Sequence, residues 1–164
     1  MKLLIIGHAR HGKDTVAEML SKNFGLTSKA SSMAASEIFI YDLLKEKYGY
    51  KTPEECFEDR VNHRAEWYDL IVEYNSEDRT RLASKILERY DIYTGMRNSI
   101  EIEKCQEKGL FDFVIGVYDG RKPHEPKDSF NIDLWEAADF VIPNGGTLEQ
   151  LEDKVGKLFT EILS

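Results

Sequence analysis

The part of this chain that most constrains its fold is the N-terminal segment MKLLIIGHARHGKDT. An apolar run over residues 3–6 leads into Gly7, and Gly12-Lys13 follow after four intervening residues. Continuous apolar runs of this length are typical of strands that are buried on both faces of a parallel sheet. A strand followed by Gly-x-x-x-x-Gly-Lys and a helix is the arrangement in which backbone N–H groups surround a phosphate. The sequence therefore predicts a phosphate-binding loop in which Gly7 and Gly12 take backbone angles that other residues avoid.

Most positions of this loop have a chemical reason to contact the phosphates of ATP. Lys13 would reach the β- and γ-phosphates, and the positive end of the following helix lies at the same place. Arg10 could contact phosphate or could equally be an exposed arginine with no specific role. The candidate ATP contacts in the loop are Gly7, Ala9, Arg10, His11, Gly12, Lys13, Asp14 and Thr15.

Asp14 stands where a serine or threonine usually offers its hydroxyl to magnesium. A carboxylate is also a competent magnesium ligand, although Asp14 could simply cap the helix. Thr15 could donate to a phosphate oxygen, or it could be an ordinary first-turn threonine. We therefore take Asp14 and Thr15 as the candidate ligands of Mg²⁺.

Apolar periodicity along the rest of the chain alternates between short strands and amphipathic helices. Strands are predicted at 26–30, 91–94, 113–117 and 140–142. Helices are predicted at 14–23, 34–47, 98–108 and 148–163, with two or three more over 53–90. This alternation predicts a three-layer α/β fold with a mostly parallel sheet of about five strands. We expect a single domain over residues 1–164, with a helical region at about 33–90 and a short lid at about 119–131, where glycine, proline and charge replace periodicity.

Charge and cysteine content limit the classes of function. A net charge of -8 argues against a broad surface that binds nucleic acid, so a phosphate must be held by a few cations in a pocket. No apolar stretch approaches the roughly 20 residues that cross a bilayer, and residues 3–6 are too few for the core of a signal peptide. We therefore expect a cytoplasmic protein with no membrane partner. Cys56 and Cys105 lack metal-ligand spacing, and we expect both to be reduced thiols.

Two motifs resemble those of a known enzyme family. Gly-x-x-x-x-Gly-Lys-Asp-Thr after an N-terminal apolar strand resembles the loop of bacteriophage-type deoxynucleoside monophosphate kinases, in which Asp commonly replaces the hydroxyl residue. Residues 138–148, ADFVIPNGGTL, are similar to a segment near the C-terminus of these kinases and of dephospho-coenzyme A kinases.

The resemblance has several implications. It implies a P-loop kinase fold that binds small-molecule nucleotides and uses ATP and Mg²⁺, with the acceptor bound by the helical region at 33–90. It also implies a phage origin, and hence location in the host cytoplasm. A homodimer is the oligomeric state to test. The resemblance also implies that Asn144 and Gly146 lie against the ATP base. A glycine turn with Thr147 capping the last helix would explain the same residues.

A third motif departs from the family pattern. Thr94-Gly95-Met96-Arg97 ends a predicted strand, where ligands bind in open α/β sheets, so Arg97 is a candidate for the acceptor phosphate as well as for a plain surface arginine. The family has Asp-Val-Arg here and a glutamate shortly afterwards. Gly95 stands in place of the acid, and Glu101 or Glu103 would be the glutamate. The sequence thus leaves open which carboxylate orders magnesium.

Further acceptor contacts are predicted from spacing. Arg60, Arg64 and Trp67 are separated by four and three residues, so on one helix they share a face and would suit a nucleotide's phosphate and base. The alternative is a solvated arginine pair beside a core tryptophan. The neighbouring stripe is expected in the core and consists of Val61, Ala65, Tyr68 and Val72.

Three more residues complete the candidate site. Arg121 lies on the predicted lid, from which it could close over the transferring phosphoryl group. Ser32 and Glu37 lie in the region where such kinases meet the acceptor nucleoside, although helix capping would explain the serine equally well. The catalytic candidates are Lys13, Arg97 and Arg121.

Three functions are compatible with these residues. The first is a magnesium-dependent kinase that transfers the γ-phosphoryl group of ATP to a deoxynucleoside monophosphate. The second is a kinase for another small acceptor, such as dephospho-coenzyme A. The third is a nucleotide-binding protein without transfer activity, which Asp14 and the missing acid beside Arg97 favour.

Overall fold

The computed structural model describes residues 1–164, and its centre is a parallel sheet of four strands. The strands are β1 (Leu3–Ile6), β2 (Ile92–Thr94), β3 (Phe113–Tyr118) and β4 (Phe140–Pro143), in the spatial order β2-β1-β3-β4. Every neighbouring pair is parallel, so all four carboxyl ends lie at one edge of the sheet. The segments that follow the strands therefore begin side by side, at the edge where open α/β sheets bind ligands.

Nine α-helices accompany the sheet. They are α1 (Lys13–Phe24), α2 (Ser31–Ala35), α3 (Tyr41–Tyr48), α4 (Pro53–Glu58), α5 (Arg64–Tyr74), α6 (Arg81–Arg89), α7 (Ser99–Glu107), α8 (Leu134–Ala137) and α9 (Leu148–Leu163). A π-helical stretch at Ser36–Ile40 joins α2 to α3, and a 3-10 turn at Asp59–Asn62 follows α4. None of these helices combines the length and the apolarity that crossing a membrane requires.

Buried side chains form a separate core on each face of the sheet. Along β1, Leu3 and Ile5 belong to a smaller core, whereas Leu4 and Ile6 belong to a larger one. The smaller core is closed by α1 and α9, and the larger one by residues of α2 to α8. Burial on both faces explains the uninterrupted apolar run of β1. The prediction of an α/β fold with helices on both faces of a parallel sheet is confirmed.

The strand predicted at 26–30 does not form, so the sheet has four strands rather than about five. A single bridge between Ser28 and Ile92 joins this segment to β2. The N–H and the hydroxyl of Thr27 both donate to the Asp91 carboxylate, at 2.9 and 3.0 Å. Because α2 begins at Ser31, no length remains for further ladder pairs. The helical region predicted at 34–47 therefore begins three residues earlier than expected, at Ser31.

α5 buries a different face from the one that the sequence indicated. The stripe that runs from Val61 to Val72 was expected in the core, and all four of its members are exposed. The buried stripe carries Trp67, and Leu70, Ile71 and Tyr74 pack against the larger core beside it. Two neighbouring stripes of this segment are apolar, so helical periodicity alone could not choose between them.

Both cysteines are free and buried, as expected for reduced thiols. Burial raises the pKa of the Cys56 thiol and raises that of Cys105 to about 12. A buried thiol with a raised pKa is a poor nucleophile. We therefore treat both residues as small apolar members of the larger core.

Candidate active site at the sheet edge

The phosphate loop connects β1 to α1, and each of its two glycines is needed for a different structural reason. Gly12 has φ +106°, a conformation that L side chains rarely adopt. Gly7 does not have a positive φ, contrary to the sequence-based expectation; a Cβ there would lie 2.7 Å from the Val117 carbonyl oxygen. Gly7 is thus required by its close approach to β3. Arg10 is the one non-glycine residue with a positive φ, +67°, and its side chain is exposed.

The first turn of α1 presents free N–H groups next to this loop. The first hydrogen bond after Gly12 runs from the Val16 N–H to the Gly12 carbonyl at 3.0 Å, so the N–H groups of Lys13, Asp14 and Thr15 have no partner within the helix. No side-chain hydrogen bond caps α1, and Asp14 is exposed. The capping alternative for Asp14 is therefore not realised, and its carboxylate is available at the mouth of the loop.

Lys13 is a half-buried cation at the start of α1. Burial lowers the pKa of its ammonium group, and the nearby Asp14 carboxylate partly opposes this effect. The ammonium group would regain favourable interactions if an anion bound beside it. A buried cation with a lowered pKa is a common feature of functional sites that bind anions.

His11 joins the loop to the segment after β3 through both of its ring nitrogens. The Asp119 N–H donates to Nδ1 at 3.0 Å, so the proton is on Nε2, which donates to the Pro123 carbonyl at 3.1 Å. The side chain is fully buried. Its ring nitrogens are therefore not free for a nucleotide, and the role that the structure gives His11 is to hold loop and lid together.

Asn144 fixes the opposite side of the loop. It follows β4, and its side-chain amide donates to the His11 carbonyl at 3.0 Å, while its own N–H donates to the Tyr118 carbonyl at 2.7 Å. A Cβ on Gly12 would lie 2.5 Å from the Asn144 Nδ2. Asn144 thus positions the phosphate loop, a role that its spacing in the sequence did not indicate. The nearby Gly146 lies beside Gln150, within the capping box that Thr147 and Gln150 form at the start of α9.

Arg121 is paired with the first residue after β3. Its Nε and Nη2 each donate to one oxygen of the Asp119 carboxylate at 3.0 Å, and Nη2 also lies 3.4 Å from the Asn144 carbonyl oxygen. Arg121 holds the pKa of Asp119 at about 2, so the pair stays charged at every pH near neutrality. The arginine is more than half exposed and remains at the sheet edge beside the loop.

Glu125 is a lid residue whose side chain reaches the phosphate loop. Its carboxylate accepts a hydrogen bond from the Ala9 N–H at 3.0 Å, and its other oxygen pairs with the guanidinium of Arg97. Burial would raise the pKa of Glu125, but the hydrogen bonds from Arg97 and Ala9, with the charges of Arg97 and Lys13, outweigh it and lower the pKa. Sequence analysis did not single out Glu125, because its partners are 116 and 28 residues away.

His8 is buried in the loop, and its Nδ1 is a hydrogen-bond acceptor. The Glu125 N–H donates to Nδ1 at 3.0 Å, and the ring stacks on that of His124 with 4.4 Å between centroids. Burial, followed by the charges of His124 and His11, lowers the pKa of His8, although Glu125 opposes the effect. A proton on Nδ1 would remove the acceptor for the Glu125 N–H.

We expect the free energy of unfolding to fall as the pH drops from about 7 to about 5. The unfolded chain binds a proton at His8 near a pKa of about 6.5, whereas the folded chain does so only at lower pH; this difference favours unfolding by at most about 1.4 kcal/mol per pH unit. Urea denaturation at the two ends of this range measures the loss. His8→Asn, which cannot titrate, should lose less, and an equal loss would assign the pH dependence to other groups.

The residues predicted to bind the acceptor do not share one helix face in the structure. Arg60 lies in the 3-10 turn before α5, with its guanidinium 3.8 Å from the centre of the Phe57 ring, and Trp67 is buried in the larger core. Arg64 is exposed at the start of α5, so the three side chains do not form one face of a helix.

Glu37 accepts a hydrogen bond from the Tyr90 hydroxyl at 2.9 Å and is near Lys29 and Arg89.

Ser32 is better placed than the other candidates. A Cβ on Gly95 would lie 2.6 Å from the Ser31 hydroxyl oxygen, so the start of α2 packs against the segment that carries Arg97. Gly95 has φ +98°, which explains a glycine where the resembled kinases have an acid. Ser32 is the next residue along α2, directly after the serine that lies against Gly95.

Glu101 is a half-buried carboxylate near the start of α7. Burial raises the pKa of its carboxyl group, and the charge of Arg79 partly opposes this effect. The charge of Glu101 in turn raises the pKa of Tyr93 and of Cys105. The carboxylates that the structure brings to the loop include Asp14, Glu125 and Asp119, whose N–H donates to His11.

The sheet and its edge define an α/β protein with a candidate phosphate site between β1, β2 and β3. No family model matches this chain, and a search of curated proteins found no matching sequence. The function has to be argued from the site itself.

Proposed function

We propose that this protein transfers the γ-phosphoryl group of ATP to a deoxynucleoside monophosphate. The observation that carries the proposal is the Glu125 carboxylate, an anion held jointly by the Ala9 N–H of the phosphate loop and by Arg97 after β2. A loop amide and an arginine from a different strand end therefore face one point. Phosphoryl transfer needs such a point, where charge between donor and acceptor is neutralised.

The chain's own residues supply positioning and charge. Lys13 and the free N–H groups of the first turn of α1 would bind the donor phosphates, while Arg97 would bind the acceptor phosphate. Arg121 lies beside the loop and would stabilise the transferring group after exchanging Asp119 for phosphate. No general base is required, because a monophosphate is already an anionic nucleophile.

Magnesium fits the oxygen donors at the mouth of the loop. Asp14 has an exposed carboxylate without a capping partner, and Thr15 has a hydroxyl one residue further along α1. The chain contains no group of three or more His, Cys, Asp or Glu side chains that could hold a metal ion, so the remaining ligands would be phosphate oxygens and water. When bound, Mg²⁺ would neutralise phosphate charge.

The acceptor site that we propose is smaller than the one predicted from sequence. Arg97 belongs to it, because it pairs with the Glu125 carboxylate at the loop, and we include Ser32 because it follows Ser31, whose hydroxyl lies against Gly95. Trp67 does not, since its ring is part of the larger core. Arg60 contacts Phe57 and Glu37 accepts from Tyr90, while Arg64 is exposed at the start of α5, and we do not include these three in the proposed site.

Turnover with a panel of acceptors tests the proposal. The protein is incubated with ATP, Mg²⁺ and each of the four common deoxynucleoside monophosphates, and ADP formation is followed by a coupled assay. We expect acceptor-dependent turnover with at least one of them, with kcat of roughly 1–100 s⁻¹ as is typical of kinases. Protein carrying Lys13→Ala, purified in the same way, controls for contaminating kinases.

The other outcomes distinguish the alternatives. Turnover with dephospho-coenzyme A and none of the nucleotides would assign the second function. ATP binding without turnover of any acceptor would indicate a nucleotide-binding protein without transfer activity.

A further inference from the structure

Residues 123–126, Pro-His-Glu-Pro, lie across the phosphate loop, and we call them the covering segment. The Pro123 carbonyl accepts from His11, the Glu125 N–H donates to His8, and the Glu125 carboxylate accepts from the Ala9 N–H. The rings of His124 and His8 are stacked with 12° between their planes. Pro123, His124 and Glu125 therefore each contact the loop, and the covering segment is closed over it.

The surroundings of the Glu125 carboxylate are those of an anion site. A backbone N–H and a guanidinium group contact its oxygens, and the Lys13 ammonium is close enough to lower its pKa. Four-fifths of the side chain is removed from solvent. A cation in the same position would meet two positive side chains, so these groups favour a phosphate oxygen over a magnesium ion.

We propose that Glu125 is a built-in competitor of the nucleotide phosphate, which it resembles in charge and in the groups that it occupies. The inference rests on the proposed function, since it takes the loop to be a nucleotide site. Binding of the nucleotide phosphates displaces the carboxylate from Ala9 and Arg97, and the covering segment detaches from the loop. Arg97 is then free to bind the acceptor phosphate, so donor binding prepares the acceptor site.

This arrangement also selects among ligands. A donor phosphate group brings more charge and more acceptor oxygens than one carboxylate, so it can replace Glu125 at the Ala9 N–H and also attract Lys13, which leaves Arg97 for the acceptor phosphate. A neutral ligand, such as a nucleoside, gains nothing from these groups and cannot displace the carboxylate. Because only open molecules bind a ligand, the apparent affinity of every ligand is its intrinsic affinity multiplied by the fraction of molecules that are open.

Binding measurements on Glu125 variants test the inference. ATP and inorganic pyrophosphate are titrated by calorimetry into the unsubstituted protein, Glu125→Gln and Glu125→Ala. We expect both variants to bind both ligands about tenfold more tightly or better, since the competing anion is gone. Glu152→Gln is the control, because it removes one negative charge from an exposed position of α9 and should leave both affinities unchanged.

Amide hydrogen exchange gives a second readout that needs no ligand. The Ala9 N–H donates to Glu125, so its exchange should be about tenfold faster or more in Glu125→Ala and unchanged in Glu152→Gln. Equal exchange of Ala9 in all proteins would mean that the contact does not protect the loop, and it would overturn the inference.

The possible outcomes separate the inference from the proposed function. Equal affinities in the three proteins, with clear binding of ATP, would overturn the competitor role alone. Weaker binding of ATP with Mg²⁺ by Glu125→Gln would also overturn it, because a metal-ordering carboxylate behaves in that way. No binding of ATP or pyrophosphate by any protein would overturn both the proposed function and the inference.

Discussion

Replacing Lys13 with alanine is expected to lower kcat/KM for phosphoryl transfer by about 10²–10³, the loss that follows removal of one preorganised charge-stabilising donor. Lys13 is the cation at the start of α1, beside the loop that we propose binds the phosphates. Its half-buried ammonium group has a lowered pKa, so its charged form is unfavourable in the folded protein until an anion binds. The effect should appear in both ATP binding and turnover.

The same variant has an expected effect on stability of the opposite sign. A lysine whose folded pKa is lowered destabilises the folded state at every pH below that pKa, because the charged form is better solvated in the unfolded chain. Lys13→Ala should therefore unfold at the same or a higher urea concentration than the unsubstituted protein. Loss of activity with retained stability is the result that assigns Lys13 to the site.

The matched control for Lys13 is on the same helix. Lys22 is exposed in the last turn of α1, and Lys22→Ala should keep its turnover within about twofold of the unsubstituted protein, because surface substitutions are usually near neutral. Initial rates at saturating ATP and over an ATP series measure both proteins. A Lys13→Ala protein with activity close to that of Lys22→Ala would remove the loop from the proposed chemistry.

Gly12→Ala is expected to have the largest effect on stability, a loss of roughly 2–5 kcal/mol from left-handed strain and overpacking together. The φ of +106° disfavours any L side chain, and the added Cβ would meet the Asn144 amide nitrogen at 2.5 Å. Relief of that clash would break the hydrogen bond from Asn144 to the His11 carbonyl. We expect ATP binding to be lost as well, because Asn144 then no longer positions the loop.

Gly25 at the other end of α1 separates the two causes. It has φ +71°, and nothing lies within 4 Å of a Cβ built there, so Gly25→Ala carries the backbone strain alone. Urea denaturation should show that Gly25→Ala lowers the free energy of unfolding by roughly 1–2 kcal/mol. This is less than half of the roughly 5 kcal/mol at the upper end of the range expected for Gly12→Ala. Equal losses would mean that the contact with Asn144 contributes nothing.

Local pattern predicted the parts of the fold whose cause is local. The apolar run of β1 and the placement of Gly12 and Lys13 between strand and helix were read from residues that are neighbours in sequence. The start and end of α9 were also predicted, because Thr147 and the apolar spacing of that helix are signals within one element. The predicted strand at 26–30 was wrong because Thr27 bonds with Asp91, 64 residues away.

The site shows the same division. Lys13, Arg97 and Arg121 were candidates from residue type and position, and all three lie in segments that begin at one edge of the sheet. Trp67 has the spacing of a ligand contact, but two apolar stripes compete on its helix, and tertiary packing chose to bury it. Gly7 was expected to have a backbone angle that other residues avoid, and this was wrong; a glycine is needed there because the β3 backbone approaches closely.

The sequence by itself determined that a loop with two glycines stands between a buried strand and a helix, and it predicts that this loop binds phosphate, since both signals are contained in fifteen consecutive residues. Only the tertiary structure decided what covers and positions the loop. Glu125 reaches Ala9 across 116 residues, and Asn144 reaches His11 across 133. No local propensity encodes such contacts, because they exist only when parallel strands bring their carboxyl ends to one edge of the sheet.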